Sequence, residues 1–196
     1  MGQNKLNTFA RVRELSGWKA ASFSAALLER MLPNYSLFCE VTDFYDPQVC
    51  RTCLDLIWES ITAPKSKINF SLQLEKVEEA TPDTAAYDTY GVYPAIDAAV
   101  GLAALLGLLL TQDLQGAVVV SKLSQGSVEA YLLSSGEADD ETVKQHPLME
   151  FEVAIQQELL ECVEQGTDPG LTAKALKKIA LEEGISNIGI ELGTAS

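Results

Sequence analysis

The stretch Tyr90–Leu110, YGVYPAIDAAVGLAALLGLLL, decides how the rest of the chain is read. It is apolar almost throughout, yet Asp97 sits inside it. Alanine and leucine dominate, and both favour helix. A helix that is apolar on every side is either the core of a globular protein or a membrane span. The uninterrupted apolar run extends only from Ala98 to Leu110. That is short of the roughly 20 residues a span requires, so the segment is expected to be a central core helix rather than a membrane crossing. Ala95, Ala99, Ala103 and Gly107 recur every fourth residue, a ridge of small side chains suited to close helix approach. Pro94 is expected at the first helical position, where its missing N–H is harmless. Asp97 then falls on the first turn, where a carboxylate meets free backbone N–H groups and the positive end of the helix dipole. If it is also buried it needs a cation, for which Arg30 or Arg51 are the candidates, and Asp97→Ala is expected to destabilise the fold.

Outward from this helix, the punctuation is helical. Residues 4–15 read as a first helix, and residues 18–31 as a second that stops near Pro33, because the residue before a proline is pushed out of the α region. A separate short helix is expected over residues 35–42. Asp46–Pro47 and Asp168–Pro169 each pair an N-capping side chain with a proline at the first helical position. The second of these opens a helix that ends at Gly184. KINFSLQLEKVEEA alternates like a strand at its start but carries strong helix formers, and a helix from about Asn69 or Ser71 is expected. AVVVSKL could be a strand but has no evident pairing partner. The tail SNIGIEL is expected to be an extended segment docked on the body. The fold class is therefore all-α: one compact multi-helical domain spanning residues 1–196, with about eight or nine helices around the central one.

The net charge is −14 and unevenly spread. Residues 1–70 carry 8 basic and 7 acidic side chains, residues 71–196 carry 6 and 21. Such acidity opposes direct nucleic-acid binding and favours a basic protein partner, without identifying one. The start of the chain lacks the apolar region of a secretory signal, so a cytoplasmic location is expected. Lys174, Lys177 and Lys178 read as a solvated helix face.

Motifs that carry chemistry are scarce. Cys50 and Cys53 have C-x-x-C spacing, but no second pair exists to complete a zinc site and no strand precedes them. They read as small apolar side chains on a helix face. His146 is the single histidine, which excludes paired Glu-x-x-His sites and H-E-x-x-H metalloproteases. It reads as a surface residue. Neither a phosphate-binding glycine loop nor a nucleophile elbow is present. No metal, cofactor or catalytic residue is expected. The residues that could line a polar ligand cleft are Arg30, Tyr35, Asp55, Glu59, Tyr90, Tyr93 and Asp97, with Asp55 and Glu59 sharing one helix face.

The segments LLERMLPNYSLFCEVT, LDLIWESIT, FSLQLEKVEEATP, YDTYGVYPAIDAAV, VSK and SNIGI together resemble the YjaG-like family of bacterial proteins, a family defined by a domain of unknown function. The resemblance covers nearly the whole chain. It implies a single all-α domain in a bacterial cytoplasm and carries no reaction with it. The family pattern does not call for cysteine at Cys50 and Cys53. Two functional classes follow. The first is a non-enzymatic interaction or regulatory module with an acidic surface, for which a homodimer stays open. The second is a small-ligand binder or enzyme using a polar cleft near Arg30, Asp55, Glu59, Tyr90 and Tyr93.

Overall fold

The apolar stretch forms a helix of 20 residues, Val92–Thr111, which is the fifth of eight α-helices among the described residues. The computed structural model describes residues 2–111, 113 and 115–192, with side chains described from Thr8 onward. The helices are α1 (Gly2–Glu14), α2 (Gly17–Thr42), α3 (Gln48–Thr62), α4 (Phe70–Glu79), α5 (Val92–Thr111), α6 (Gln115–Ser135), α7 (Pro147–Gln165) and α8 (Pro169–Leu181). Short 3-10 turns lie at Thr84–Ala86 and Val143–Gln145. The ambiguous segments are thus helical: Asn69 caps α4 by accepting the Leu72 N–H, and AVVVSKL lies within α6.

The core is built around α2 and α5. Ala95, Ala98, Ala99, Leu102, Leu105 and Leu106 of α5 are fully buried, as are Phe23, Leu27, Leu28 and Met31 of α2. The small-residue ridge is shorter than its spacing predicts. Ala95 and Ala99 are buried, but Ala103 and Gly107 are only half-buried. The closest approach occurs instead where α5 turns back into α6. A Cβ on Gly116 would lie 2.8 Å from the Ala104 carbonyl oxygen, so only glycine fits that crossing.

The largest departure from sequence expectation is at Pro33, which lies inside α2 rather than after it. A proline removes one helical hydrogen bond and crowds the preceding turn, costing about 3 kcal/mol in an isolated helix. Here the continuation beyond it buries Tyr35, Phe38 and Cys39, and burial of each large apolar side chain returns about 1.5–3 kcal/mol. The tertiary core therefore overrides the local break. The helix ends only after Thr42, where Asp43 takes a left-handed conformation.

The proline also marks the docking site of the tail. The Arg30 carbonyl, on the turn before Pro33, accepts the Asn187 N–H at 3.0 Å. Asn34 Nδ2 donates to Asn187 Oδ1 at 2.8 Å, and Asn187 Nδ2 donates to the Ser124 carbonyl on α6 at 3.1 Å. Each residue of SNIGI has its own role. Ser186 Oγ accepts the Ile188 and Ile190 N–H groups, Gly189 supplies a φ of 87°, and Ile188 packs into a small second core with Val128, Leu132, Val143 and Met149. Ile185 and Glu191 close the hairpin as an antiparallel bridge.

Between α2, α6 and α7 runs a line of buried polar side chains. Arg30 Nη2 donates to Glu152 Oε2 at 2.9 Å, and both residues are essentially sealed from solvent. The other Glu152 oxygen accepts from Ser124 Oγ and from Gln156 Nε2. Gln156 Oε1 in turn accepts from Ser121 Oγ at 2.6 Å and Gln125 Nε2 at 3.1 Å. The Arg30 guanidinium lies over the Phe151 ring.

Removing one member of a buried ion pair strands the other charge, which is worth about 3–5 kcal/mol. Arg30→Met is expected to lower the unfolding free energy by that amount in urea denaturation. Adding Glu152→Leu to it should recover much of the loss. Asn187→Ala deletes its two side-chain hydrogen bonds, to Asn34 and to the Ser124 carbonyl, while its backbone bond to Arg30 remains. At about 1 kcal/mol net for each lost bond, it should destabilise the protein by about 2 kcal/mol in the same measurement.

Candidate functional site

The seven residues read as a possible cleft fall into three separate places. Arg30 is consumed by Glu152 in the interior. Tyr35 is also fully buried, and its hydroxyl donates to the Ala80 carbonyl at 2.6 Å, tying α2 to the end of α4. Burial raises its phenol pKa, with the neighbouring Cys50 and Cys39 thiols acting in the same direction. Asp55 and Glu59 are exposed on the outer face of α3. Arg51 binds Asp55 at 2.6 Å and also grips Glu29 through two bonds, while Trp58 Nε1 donates to the same Glu29 carboxylate. Glu59 accepts from Ser66 Oγ.

Tyr90, Tyr93 and Asp97 do come together. They line one wall of an open groove of about 690 Å³ between α5 and α6, with Val119, Lys122, Leu123, Gly126, Ala130 and Ser134 opposite. Tyr90 sits in the turn that starts α5, which is closed by the Tyr93 N–H bonding to the Tyr90 carbonyl. Tyr93 and Asp97 then follow one helical turn apart on the same face. The two tyrosine rings lie 5.7 Å apart at 45° to each other, and Tyr131 contacts Tyr90 from α6 at 6.3 Å. Gly126 and Ala130 leave the middle of the opposite wall low.

Asp97 has neither of the roles expected from its position in sequence. The helix starts at Val92, so Asp97 lies in the second turn, beyond the free N–H groups. Arg30 and Arg51 are occupied by Glu152, Glu29 and Asp55. Among the described residues no lysine or arginine forms an ion pair with Asp97, and Lys122 across the groove lies over the Phe9 ring instead. Burial pushes the Asp97 carboxyl above its ordinary value, and the facing Ser127 hydroxyl pulls only partly the other way. The Tyr90 phenol is raised first by burial and then by the charge of Asp97, which places the two groups within electrostatic reach.

Several residues outside the groove also found their places. All four cysteines are free, and burial pushes the Cys50 and Cys53 thiols up to about 12, which makes both poor nucleophiles at neutral pH. His146 is a partly exposed residue that also caps a helix. Its Nδ1 accepts the Leu148 N–H at the start of α7, and its Nε2 faces Glu137 at 3.8 Å. Lys177 packs over the Trp58 ring at 4.8 Å rather than belonging wholly to a solvated face. Among the described residues there is no cluster of three or more histidine, cysteine or acidic side chains able to hold a metal ion.

A carboxyl whose folded pKa is raised contributes stability below its unfolded value, and that contribution is lost as pH rises through the folded value. For Asp97 the window starts near 3.8 and extends upward. Asp97→Asn is therefore expected to melt at or above the wild-type temperature at pH 7. The difference should shrink to nothing as pH falls below 3.8. A clear loss of stability at pH 7 in thermal melts would restore the structural role first expected for this residue.

Comparison with known proteins places this fold in a family. A family model described as "Protein of unknown function (DUF416)" matches residues 7–191. The chain is 44% identical over 187 residues to "Uncharacterized protein YjaG" of Escherichia coli, covering 92% of this chain and 94% of that one. It is 36% identical to an "Uncharacterized protein" of Haemophilus influenzae over 189 residues, covering 92% and 95%. The crystal structure of a DUF416 family protein from Shewanella baltica superposes with a TM-score of 0.87 at 39% identity, covering 93% of this chain and 97% of that one. The match in sequence over nearly the full length, together with the shared arrangement of helices, establishes that this chain belongs to the DUF416 family.

Proposed function

We propose that this protein is a non-enzymatic interaction module of the bacterial cytoplasm, and that it receives a segment of a positively charged partner protein in the groove between α5 and α6. The observation that carries the reading is the two-faced character of α5. By length and composition this helix could cross a membrane, yet half of its most apolar stretch is buried in the protein. The remainder leaves Tyr93 exposed on one wall of the groove, and Val119 of α6 is exposed on the other. Apolar side chains gathered at the rim of a groove are a common mark of a docking surface. The chain's net charge of −14 favours encounter with a basic partner. The alternative, a catalytic or small-ligand cleft built jointly from Arg30, Asp55, Glu59, Tyr90 and Tyr93, would need side chains that lie in separate places with separate partners.

A photo-crosslinking residue at Tyr93 (52% exposed) tests this in bacterial cells, with Leu171 on α8 as a more accessible control (73% exposed). The expected result is an adduct specific to Tyr93 that is lost when Val119→Asp is added. Identical adducts from both positions, or none from Tyr93, would refute the groove as the docking site. An adduct of twice the chain mass would name a second copy as the occupant instead of a different protein.

A further inference from the structure

The groove contains one feature that an apolar docking surface does not require, a half-buried carboxylate that no lysine or arginine among the described residues pairs with. We propose that Asp97, together with the ring faces of Tyr90 and Tyr93, forms a receptor for a single cationic side chain, a lysine or arginine on the docked segment of the partner. The proposal deepens the docking reading above and rests on it.

Three observations converge on a cation. Asp97 lies in the groove wall, and among the described residues no lysine or arginine pairs with it. A desolvated carboxylate left in that condition is unfavourable, and a cation brought by a partner would relieve it. Tyr90 and Tyr93 line the same groove, with rings 5.7 Å apart. Aromatic faces carry negative electrostatic potential and attract ammonium and guanidinium groups. Lastly, the opposite wall offers Val119 and Leu123 to the aliphatic stem of such a side chain, and Gly126 and Ala130 leave room for it to reach the carboxylate. The combination of an apolar track and an anionic end matches the amphipathic side chains of lysine and arginine.

The same geometry disfavours an anionic ligand. Lys122 is the cation of the groove lining, and it is directed at Phe9, whereas an anion at the tyrosines would meet Asp97. It also explains why Asp97 interrupts an otherwise apolar stretch although it does not cap α5 and, among the described residues, joins no ion pair.

The probe is n-hexylammonium, titrated into the full chain and followed by backbone amide shifts, with n-hexanol as the uncharged isostere. Hexylammonium is expected to shift the amides of Asp97, Gly126 and Ala130 and to bind at least about ten-fold more tightly than hexanol. That ratio corresponds to about 1.4 kcal/mol. In Asp97→Asn the preference should vanish while near-ultraviolet circular dichroism stays unchanged. In Tyr93→Leu, which keeps the apolar bulk, it should fall about three-fold or more, in keeping with a cation–π contribution of about 0.5–1 kcal/mol. Equal binding of the two probes, or an undiminished preference in Asp97→Asn, would overturn the cation receptor. The docking reading is scored separately: a Tyr93-specific crosslink that survives Asp97→Asn would keep the groove as an interface and remove its anchor. Ammonium binding without any Tyr93 crosslink would sink the docking reading, and with it the assignment to a partner side chain.

Discussion

The buried contact between Arg30 and Glu152 is the constraint around which the rest of the fold is arranged. Neither charge can be left alone in the interior, so α2 and α7 must meet in one register. Glu152 has a second oxygen to satisfy, and Ser124 and Gln156 supply it, which extends the constraint to α6. Asn187 then reads the same region from outside, bonding to the Arg30 carbonyl, to Asn34 and to the Ser124 carbonyl. Apolar packing alone tolerates many helix rotations, whereas a chain of buried donors and acceptors accepts very few. The tail is therefore part of the core specification, although it contributes little apolar area.

The central helix divides its work between its two faces. The inner face supplies Leu102, Leu105 and Leu106 to the packing against α2 and α6. The outer face, carrying Tyr93 and Asp97, forms a wall of the groove. The tight crossing at Gly116 holds α5 and α6 close together at one end, and the bulk of Tyr90, Tyr93 and Tyr131 lies towards the other. The groove is thus a product of the helix pairing, and its chemistry comes from Tyr90, Tyr93 and the one charged residue that the apolar stretch contains.

Much of this was legible in the residues. The helical class, the central position of residues 90–110, the Asp168–Pro169 start of α8 and the docked tail all follow from local propensity and from the period of apolar side chains. Three of the seven residues gathered as a polar cleft, Tyr90, Tyr93 and Asp97, do share a wall, because they lie on consecutive turns of one segment. The other four are scattered, because proximity between helices depends on packing angles that a single sequence does not reveal. Glu152, Gln156 and Ser124 went unread. The spacing of Glu152 and Gln156 by four residues was visible, but a buried polar pair and a solvated one look alike until the neighbouring helix is in place. Pro33 misled in the opposite direction, since the apolar surface that carries the helix past it lies in other parts of the chain.

The sequence by itself determined which segments are helical, which of them must be central, and that the common motifs for metal, nucleotide and nucleophile chemistry are missing. These are properties of short windows, where propensity, capping and hydrophobic period act between near neighbours. Only the tertiary structure decided which charges meet. Arg30 and Glu152 are 122 residues apart yet share a hydrogen bond, whereas Asp97 and the arginines expected beside it do not meet. Electrostatic partnership depends on distances of a few ångströms and on the exclusion of water, and both are set only once the helices have packed.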